Sequence, residues 1–286
     1  MFFSVIIPTY HRNELLARCL ERLAPDIQTL SSDQYEVIVS DDGKNSTAEN
    51  LLRERFPWAH WIQGPQRGPA ASRNFATTHA NGTWLVFTDD DCIPDPGWLQ
   101  AYADAITPES LAYEGCTTCV QPFSPLLEET PMNLTRGCFW SCNIMIAPSV
   151  FHSIQGFDEN FPYPFQEDTD FREKLKAAGY SFPFVPNAIV DHPARPRRLG
   201  KRMGEVRECD ALLWYKGGQQ SSAVNHLIRN ILRSHWDRFR LMHYLSRDTW
   251  IALYSMLGEM KYVLVHVKYW DKKIQNTPKS YNYRQI

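Results

Sequence analysis

No stretch of the 286-residue chain reaches the roughly 18 uncharged apolar residues that a membrane-spanning helix requires, so any membrane contact is expected to be peripheral. The apolar opening Phe2 to Pro8 is too short for a signal h-region and has no basic residue before it, so it reads as a strand and no secretory leader is expected. Cysteine is scarce and odd in number, seven in all, with no spacing that suggests a disulfide framework, and a reducing, cytoplasmic setting follows. Cys116-Thr117-Thr118-Cys119 is a lone CxxC without a second pair at zinc-finger spacing, which argues for ordinary strand thiols. Glycine is sparse, and the segment after the first apolar run, Pro8-Thr9-Tyr10-His11-Arg12, is not a Gly-rich phosphate loop. Internal repeats and low-complexity tracts are also missing, which excludes solenoid and linker architectures.

A composition of 43% hydrophobic residues, with 13% aromatic, gives a chain of this length enough material for a substantial core. The net charge of -2 hides a division. Residues 1–192 hold 12 Lys/Arg against 25 Asp/Glu, whereas residues 193–286 hold 18 against 7. Opposite signs in two parts of one chain imply different partners.

Hydrophobic periodicity predicts strands at Phe3–Pro8, Tyr35–Ser40, Trp58–Gln63 and Trp84–Thr88. Between them it predicts helices at Asn13–Leu23, from a Ser46 cap to about Arg55, and at Pro69–Thr78. Such alternation implies βαβ units and a mainly parallel sheet flanked by helices. Past Pro96 the pattern predicts strand-like runs at Ala112–Val120 and Phe139–Ile146 and a helix from Asp168 to Ala178, stopped by Gly179. Beyond Pro193 the sequence turns basic, aromatic-rich and helical, with a boundary near residues 193–205.

Ligands of open α/β sheets bind beyond the carboxyl ends of the strands. There this sequence places Thr9, Tyr10 and Arg12 after the first strand, Asp41 and Asp42 after the second, and Asp89-Asp90-Asp91 after the fourth. Adjacent carboxylates raise one another's pKa unless a cation intervenes. Asp89 and Asp91 suit a hard divalent ion such as Mg²⁺ or Mn²⁺, which also binds phosphate oxygens. An isolated acidic triplet is usually a solvated turn; its place at a strand's carboxyl end favours the metal.

Five collinear segments within about residues 2–192 resemble the family 2 glycosyltransferases of the GT-A fold. They are Phe3 to Tyr10, Glu36 to Gly43, Gly68 to Asn74, Val86 to Asp91, and Gly156-Phe157-Asp158-Glu159 with Gln166-Glu167-Asp168-Thr169-Asp170. The resemblance implies an α/β GT-A catalytic domain over 1–195, with a nucleotide-binding half at about 1–95 and an acceptor half at about 96–195. Residues 196–286 then form a basic, mainly helical C-terminal extension. It also implies that Pro8, Thr9 and Tyr10 line the base pocket and that Asp41 accepts a hydrogen bond from an imide N–H, which points to a UDP- or dTDP-sugar donor.

By the same resemblance Arg12 and Arg73 contact the nucleotide or its diphosphate, since a guanidinium can bind phosphate bidentately. Asp89 and Asp90 face the donor, and Asp89, Asp91 and His192 hold the Mn²⁺ or Mg²⁺. Asp168 is the base that deprotonates the acceptor hydroxyl, with inversion at the anomeric carbon. The helix N-terminus at Glu167-Asp168 is expected to lower those carboxyl pKa values. The plain readings are a turn for Asp41, a surface charge for Arg73, a structural histidine for His192 and a helix cap for Asp168.

The expected partners are a nucleotide-sugar donor and a saccharide or lipid-linked acceptor, in polysaccharide or glycolipid synthesis, with no nucleic acid. A nucleotidyltransferase of similar architecture and a non-catalytic nucleotide-sugar-binding protein are the alternatives. In the C-terminal segment Ile231, Leu232, Trp236, Phe239, Leu241, Met242, Trp250, Tyr254, Tyr262 and Trp270 interleave with cations. That pattern fits peripheral contact with the anionic inner face of the cell membrane; the alternative is packing on the catalytic domain or on a second copy in a homo-oligomer.

Overall fold

A computed structural model describes residues 1–45, 48–125, 127–219, 221–239 and 247–274. Ser46, Leu241 and Met242 lie outside the described residues. The chain divides into two compact units. The first comprises Met1–Val120, Pro131–Asn160 and Glu167–Pro193, and the second Gln121–Thr130, Phe161–Gln166 and Ala194–Ile286.

The first unit begins with β1 (Phe3–Thr9), α1 (Asn13–Leu23), β2 (Tyr35–Asp41), α2 (Ala48–Arg55), β3 (His60–Gln63), α3 (Pro69–Thr77) and β4 (Trp84–Phe87). After β5 (Ile93–Pro94), α4 (Trp98–Ala105) and β6 (Ala112–Thr118), the short β7 (Glu128–Glu129) falls in the second unit. The first unit resumes with β8 (Ile144–Ile146), α5 (Pro148–Ser153), α6 (Glu167–Ala177) and β9 (Phe184–Asp191). Its eight strands lie in the order β3-β2-β1-β4-β8-β6-β9-β5. β1 runs parallel to β2 and β4, and β2 parallel to β3, whereas β8 is antiparallel to both β4 and β6.

Parallel strands covered on both faces read as continuous apolar runs, and β1 is buried at all seven positions. Helix α1 occupies the expected residues because Leu16, Cys19, Leu20 and Leu23 recur at helical spacing and are all buried. The expected strand over Phe139–Ile146 is shorter, because only Ile144–Ile146 pairs in the sheet. The buried Glu114 carboxylate accepts the backbone N–H groups of Gly137 and Phe139, the latter at 2.9 Å. Phe139 itself takes a left-handed φ of 49°, so the chain there turns around a carboxylate instead of joining a ladder.

The second unit continues with β10 (Arg195–Pro196), antiparallel to β7, and the helices α7 (Lys201–Lys216), α8 (Val224–Phe239) and α9 (Arg247–Ile274). Leu227 and Ile231 of α8 pack with Val263, Val267 and Trp270 of α9 and Ala211 and Tyr215 of α7 in a separate core. Inside it Arg207 binds Asp210 at 2.6 Å and Glu259 at 2.7 Å, and His235 Nε2 meets Glu259 at 3.1 Å. Among the described residues no helix is long and apolar enough to cross a membrane.

Candidate active site

Thr9 and Asp41 stand side by side in the β1–β2 register, and the Thr88 N–H donates to the Ile6 carbonyl at 3.2 Å. The three carboxyl ends therefore open on one edge of the sheet, and the aspartate triplet leaves from it.

The triplet divides its labour. Asp89 is partly exposed and accepts Arg73 Nη2 at 2.6 Å. Asp90 turns inward, fully buried, where it accepts the Thr9 hydroxyl at 2.8 Å and Arg12 Nε at 3.0 Å. Asp91 receives Arg12 Nη1 on Oδ2 at 2.9 Å, while its Oδ1 is buried, has no hydrogen-bond partner among the described residues and lies 3.4 Å from His192 Nε2.

Burial raises the Asp89 carboxyl, but Arg73, its hydrogen bond, His192 and Arg12 outweigh that effect, leaving Asp89 below the ordinary carboxylate range. Burial pushes Asp90 up to about 7 against the Arg12 guanidinium. Asp90, expected at the donor, is buried and holds Thr9 and Arg12 in place. Pro8 and Thr9 are likewise buried, so of the three residues expected at the base pocket only Tyr10, 61% exposed, presents its side chain to solvent. Arg12 stays 41% exposed and can still meet an anion.

Asp41 is fully buried, and its carboxylate already accepts the Gly43 N–H at 3.1 Å and Trp61 Nε1 at 3.2 Å. Its neighbour Asp42 accepts the N–H groups of Gln66 and Gly68, both at 2.6 Å, and the Ser72 hydroxyl at 2.8 Å. Asp42 thus fastens the loop that enters α3, and Arg73 follows one residue after Ser72.

Arg73 is not a surface charge: its side chain is 4% exposed, and it joins Asp89 to Glu167 at 3.2 Å. Its guanidinium carbon lies 5.4 Å from the Phe157 ring centre, and Asn74 beside it binds the backbone of Phe157 in both directions, at 2.8 and 2.9 Å. α3 therefore fixes the end of β4 to the start of α6 through one buried cation. Glu167 is the residue that sequence reasoning overlooked; its signal was a second carboxylate beside the expected base.

Asp168 follows on the first turn of α6, half-buried, and its Oδ1 accepts the Thr169 N–H at 2.7 Å. The helix terminus was expected to lower both carboxyl groups, but burial wins. Glu167 is pushed up to about 7 by burial and by Asp168, against Arg73, and burial raises Asp168 despite the Thr169 N–H and Arg73.

Asp91, Cys92 and His192 place potential ligand atoms within 4.8 Å of one another. Burial and the Cys142 thiol hold Cys92 well above its ordinary pKa, so it remains a neutral thiol. An unpartnered carboxylate oxygen facing an imidazole is a donor set that Mn²⁺ or Mg²⁺ accepts, so these residues fit a divalent cation.

The model of the family described as "Glycosyl transferase family 2" matches residues 4–120. Glycosyltransferase AglE of Haloferax volcanii is 26% identical over 230 residues, covering 74% of each chain. Validoxylamine A glucosyltransferase of Streptomyces hygroscopicus is 28% identical over 62% of this chain, which spans about half (48%) of that enzyme's length. Among solved structures, residues 1–349 of S. aureus TarS in complex with UDP superpose with a TM-score of 0.59 at 19% identity, covering 96% of this chain and 89% of that one. Mannosyltransferase PcManGT of Pyrobaculum calidifontis, with GDP-Man and Mn²⁺, gives 0.52 at 17% identity over 93% and 75%. The two superpositions establish a shared fold with α/β sheet and flanking helices.

Proposed function

We propose that the chain is a nucleotide-sugar-dependent glycosyltransferase of family 2, the family whose model matches residues 4–120, and that it transfers the sugar of a UDP- or dTDP-sugar to an acceptor hydroxyl with inversion. The observation that carries this reading is the Asp89–Arg73–Glu167 bridge, which holds the aspartate triplet and the Asp168 turn in one arrangement. The donor half is assigned to residues 1–95 and the acceptor half to 96–195, with 196–286 as the C-terminal extension. The acceptor is a saccharide or a lipid-linked glycan in polysaccharide or glycolipid synthesis.

Tyr10 offers an aromatic face to the base, Asp41 a carboxylate to an imide N–H, and the half-exposed Arg12 a fork to the diphosphate. TarS has been solved with UDP and with UDP-GlcNAc, which supports a uracil nucleotide; PcManGT carries Mn²⁺ with its donor, which supports a divalent cation. Asp91 and His192 would hold that cation, with Asp89 as the further carboxylate that the sequence motif assigns to it, and the ion when bound supplies Lewis-acid neutralisation of the departing nucleoside diphosphate. Asp168 takes the proton from the acceptor hydroxyl as that oxygen bonds to the anomeric carbon, and the carbon–oxygen bond to the diphosphate breaks on the opposite face. Arg73 keeps Asp89 ionised and Glu167 in register, so that Asp168 meets the acceptor on a fixed helix turn.

A thermal-shift screen of nucleotide-sugars tests the reading. With Mn²⁺ a UDP- or dTDP-sugar at about 100 times its Kd should stabilise the chain by about 2.7 kcal/mol, and excess chelator should remove most of the gain. Equal stabilisation in chelator, or by a purine nucleotide-sugar alone, would contradict it.

A further inference from the structure

Helix α9 has two apolar faces, and only one is used inside its unit. Val263, Val267, Trp270 and Ile274 are buried in the core that α9 shares with α7 and α8. On another face Trp250, Tyr254, Leu257, Lys261, Leu264 and Lys268 follow one another at alternating spacings of four and three residues, and all six are exposed. This is the periodicity of a continuous helical stripe. Tyr254 is 81% exposed, and Val265 and Tyr269 widen the stripe at 66% and 63%. Helix α8 shows the same composition, with Arg229, Leu232, Arg233 and Trp236 exposed at helical spacing.

Charge decides what such a face fits. Of the three acidic residues of α9, the Asp248 side chain lies outside the described residues, Glu259 is buried and Asp271 is half-buried against Tyr215 and Ser222, so none of the described exposed side chains is acidic. Lys261, Lys268 and Lys272 are exposed and form no ion pair among the described residues, unlike Lys273, which binds Glu208 at 2.5 Å. A second copy would set lysines against lysines along the seam, without the acidic flanking residues that pair helices. An anionic lipid surface accepts lysine ammonium groups, and Trp and Tyr lodge at the level of its headgroups.

We propose that the exposed face of α9 seats the chain on an anionic membrane, with the helix lying in the interface and the lysines among lipid phosphates. This surface is independent of the sugar-transfer reading: it uses none of the residues assigned to donor, metal or base, and it would bring an enzyme to a lipid-anchored acceptor without a spanning helix.

Flotation of the full chain with vesicles tests the proposal. Phosphatidylcholine vesicles containing phosphatidylglycerol should carry the protein up the gradient at low salt, and pure phosphatidylcholine should not. Rising salt should release it, because screening weakens exposed charge pairs. Lys261→Gln, Lys268→Gln and Lys272→Gln together should weaken attachment by about a hundredfold, at about fivefold per cation near the surface. Tyr254→Ser with Leu257→Ser should weaken it in both low and moderate salt, with unchanged circular dichroism melting because both positions are exposed. Equal flotation with either lipid, or none at low salt, would overturn the proposal. So would a lipid-free dimer in sedimentation analysis that Tyr254→Ser with Leu257→Ser dissolves, since the stripe would then belong to a second copy.

Discussion

Arg73 shows how much of the site rests on one side chain. It is buried between Asp89 and Glu167 under the Phe157 ring, and removing one partner of a buried ionic group typically costs about 3–5 kcal/mol because the other charges are left unpaired. Arg73→Ala is expected to lower the melting temperature strongly. Arg73→Lys keeps the charge but loses the two-pronged geometry, so activity should fall further than stability; equal activity in Arg73→Lys would remove Arg73 from the site's architecture. Asp90→Asn should act through fold and through Arg12, since its buried carboxyl touches Thr9 and Arg12. Titration of the free chain by nucleoside diphosphate should then show weakened binding together with a lower melting point.

Elements explain why some of this was legible in the sequence and some was not. The spacing of Leu16, Cys19, Leu20 and Leu23 and the uninterrupted β1 run are local signals, so the bounds of α1 and the parallel order at the donor edge follow from them. The triplet's position after β4 was legible for the same reason. Contacts between elements distant in sequence were not: Arg73 and Glu167 are 94 residues apart, and Glu114 captures backbone groups 23 and 25 residues away. Nothing in the apolar run from Phe139 announces that a distant carboxylate will turn it into a loop.

The β6–β9 pairing offers a direct check at this scale. A methyl group on Gly115 would lie 2.5 Å from the Ala188 carbonyl oxygen and against the Asn143 amide, the same Asn143 that accepts Trp98 Nε1 and the Tyr102 hydroxyl, both at 2.8 Å. Gly115→Ala should therefore destabilise by about 1–3 kcal/mol through overpacking, read by urea denaturation; a neutral result would mean that β6 can move away from β9.

At the scale of the whole molecule, each unit carries its own buried charge cluster, and their pH responses differ in direction of interest. In the second unit burial raises Glu259, but the hydrogen bonds and charges of His235 and Arg207 outweigh it and hold the carboxyl below its ordinary 4.5. A depressed carboxyl contributes stability that is present above the unfolded value and is lost as pH falls through the folded one. Thermal melts should thus be flat for this group above about pH 4.5 and decline below it, and Glu259→Gln should flatten the decline. In the first unit burial raises Asp168, the proposed base, in the opposite direction. A base must be ionised, so the acid limb of turnover should lie above the ordinary aspartate value of 3.8.

The central claim is that Asp168 moves the proton and does not grip the donor. Asp168→Asn tests it most directly, with donor affinity measured by calorimetry in Mn²⁺ and transfer measured by single-turnover product formation. The expected result is donor affinity within about threefold of the parent chain, a margin of about 0.6 kcal/mol, with transfer slowed by about 10²–10⁴-fold. Affinity falling in step with transfer, or transfer left undiminished, would contradict the account.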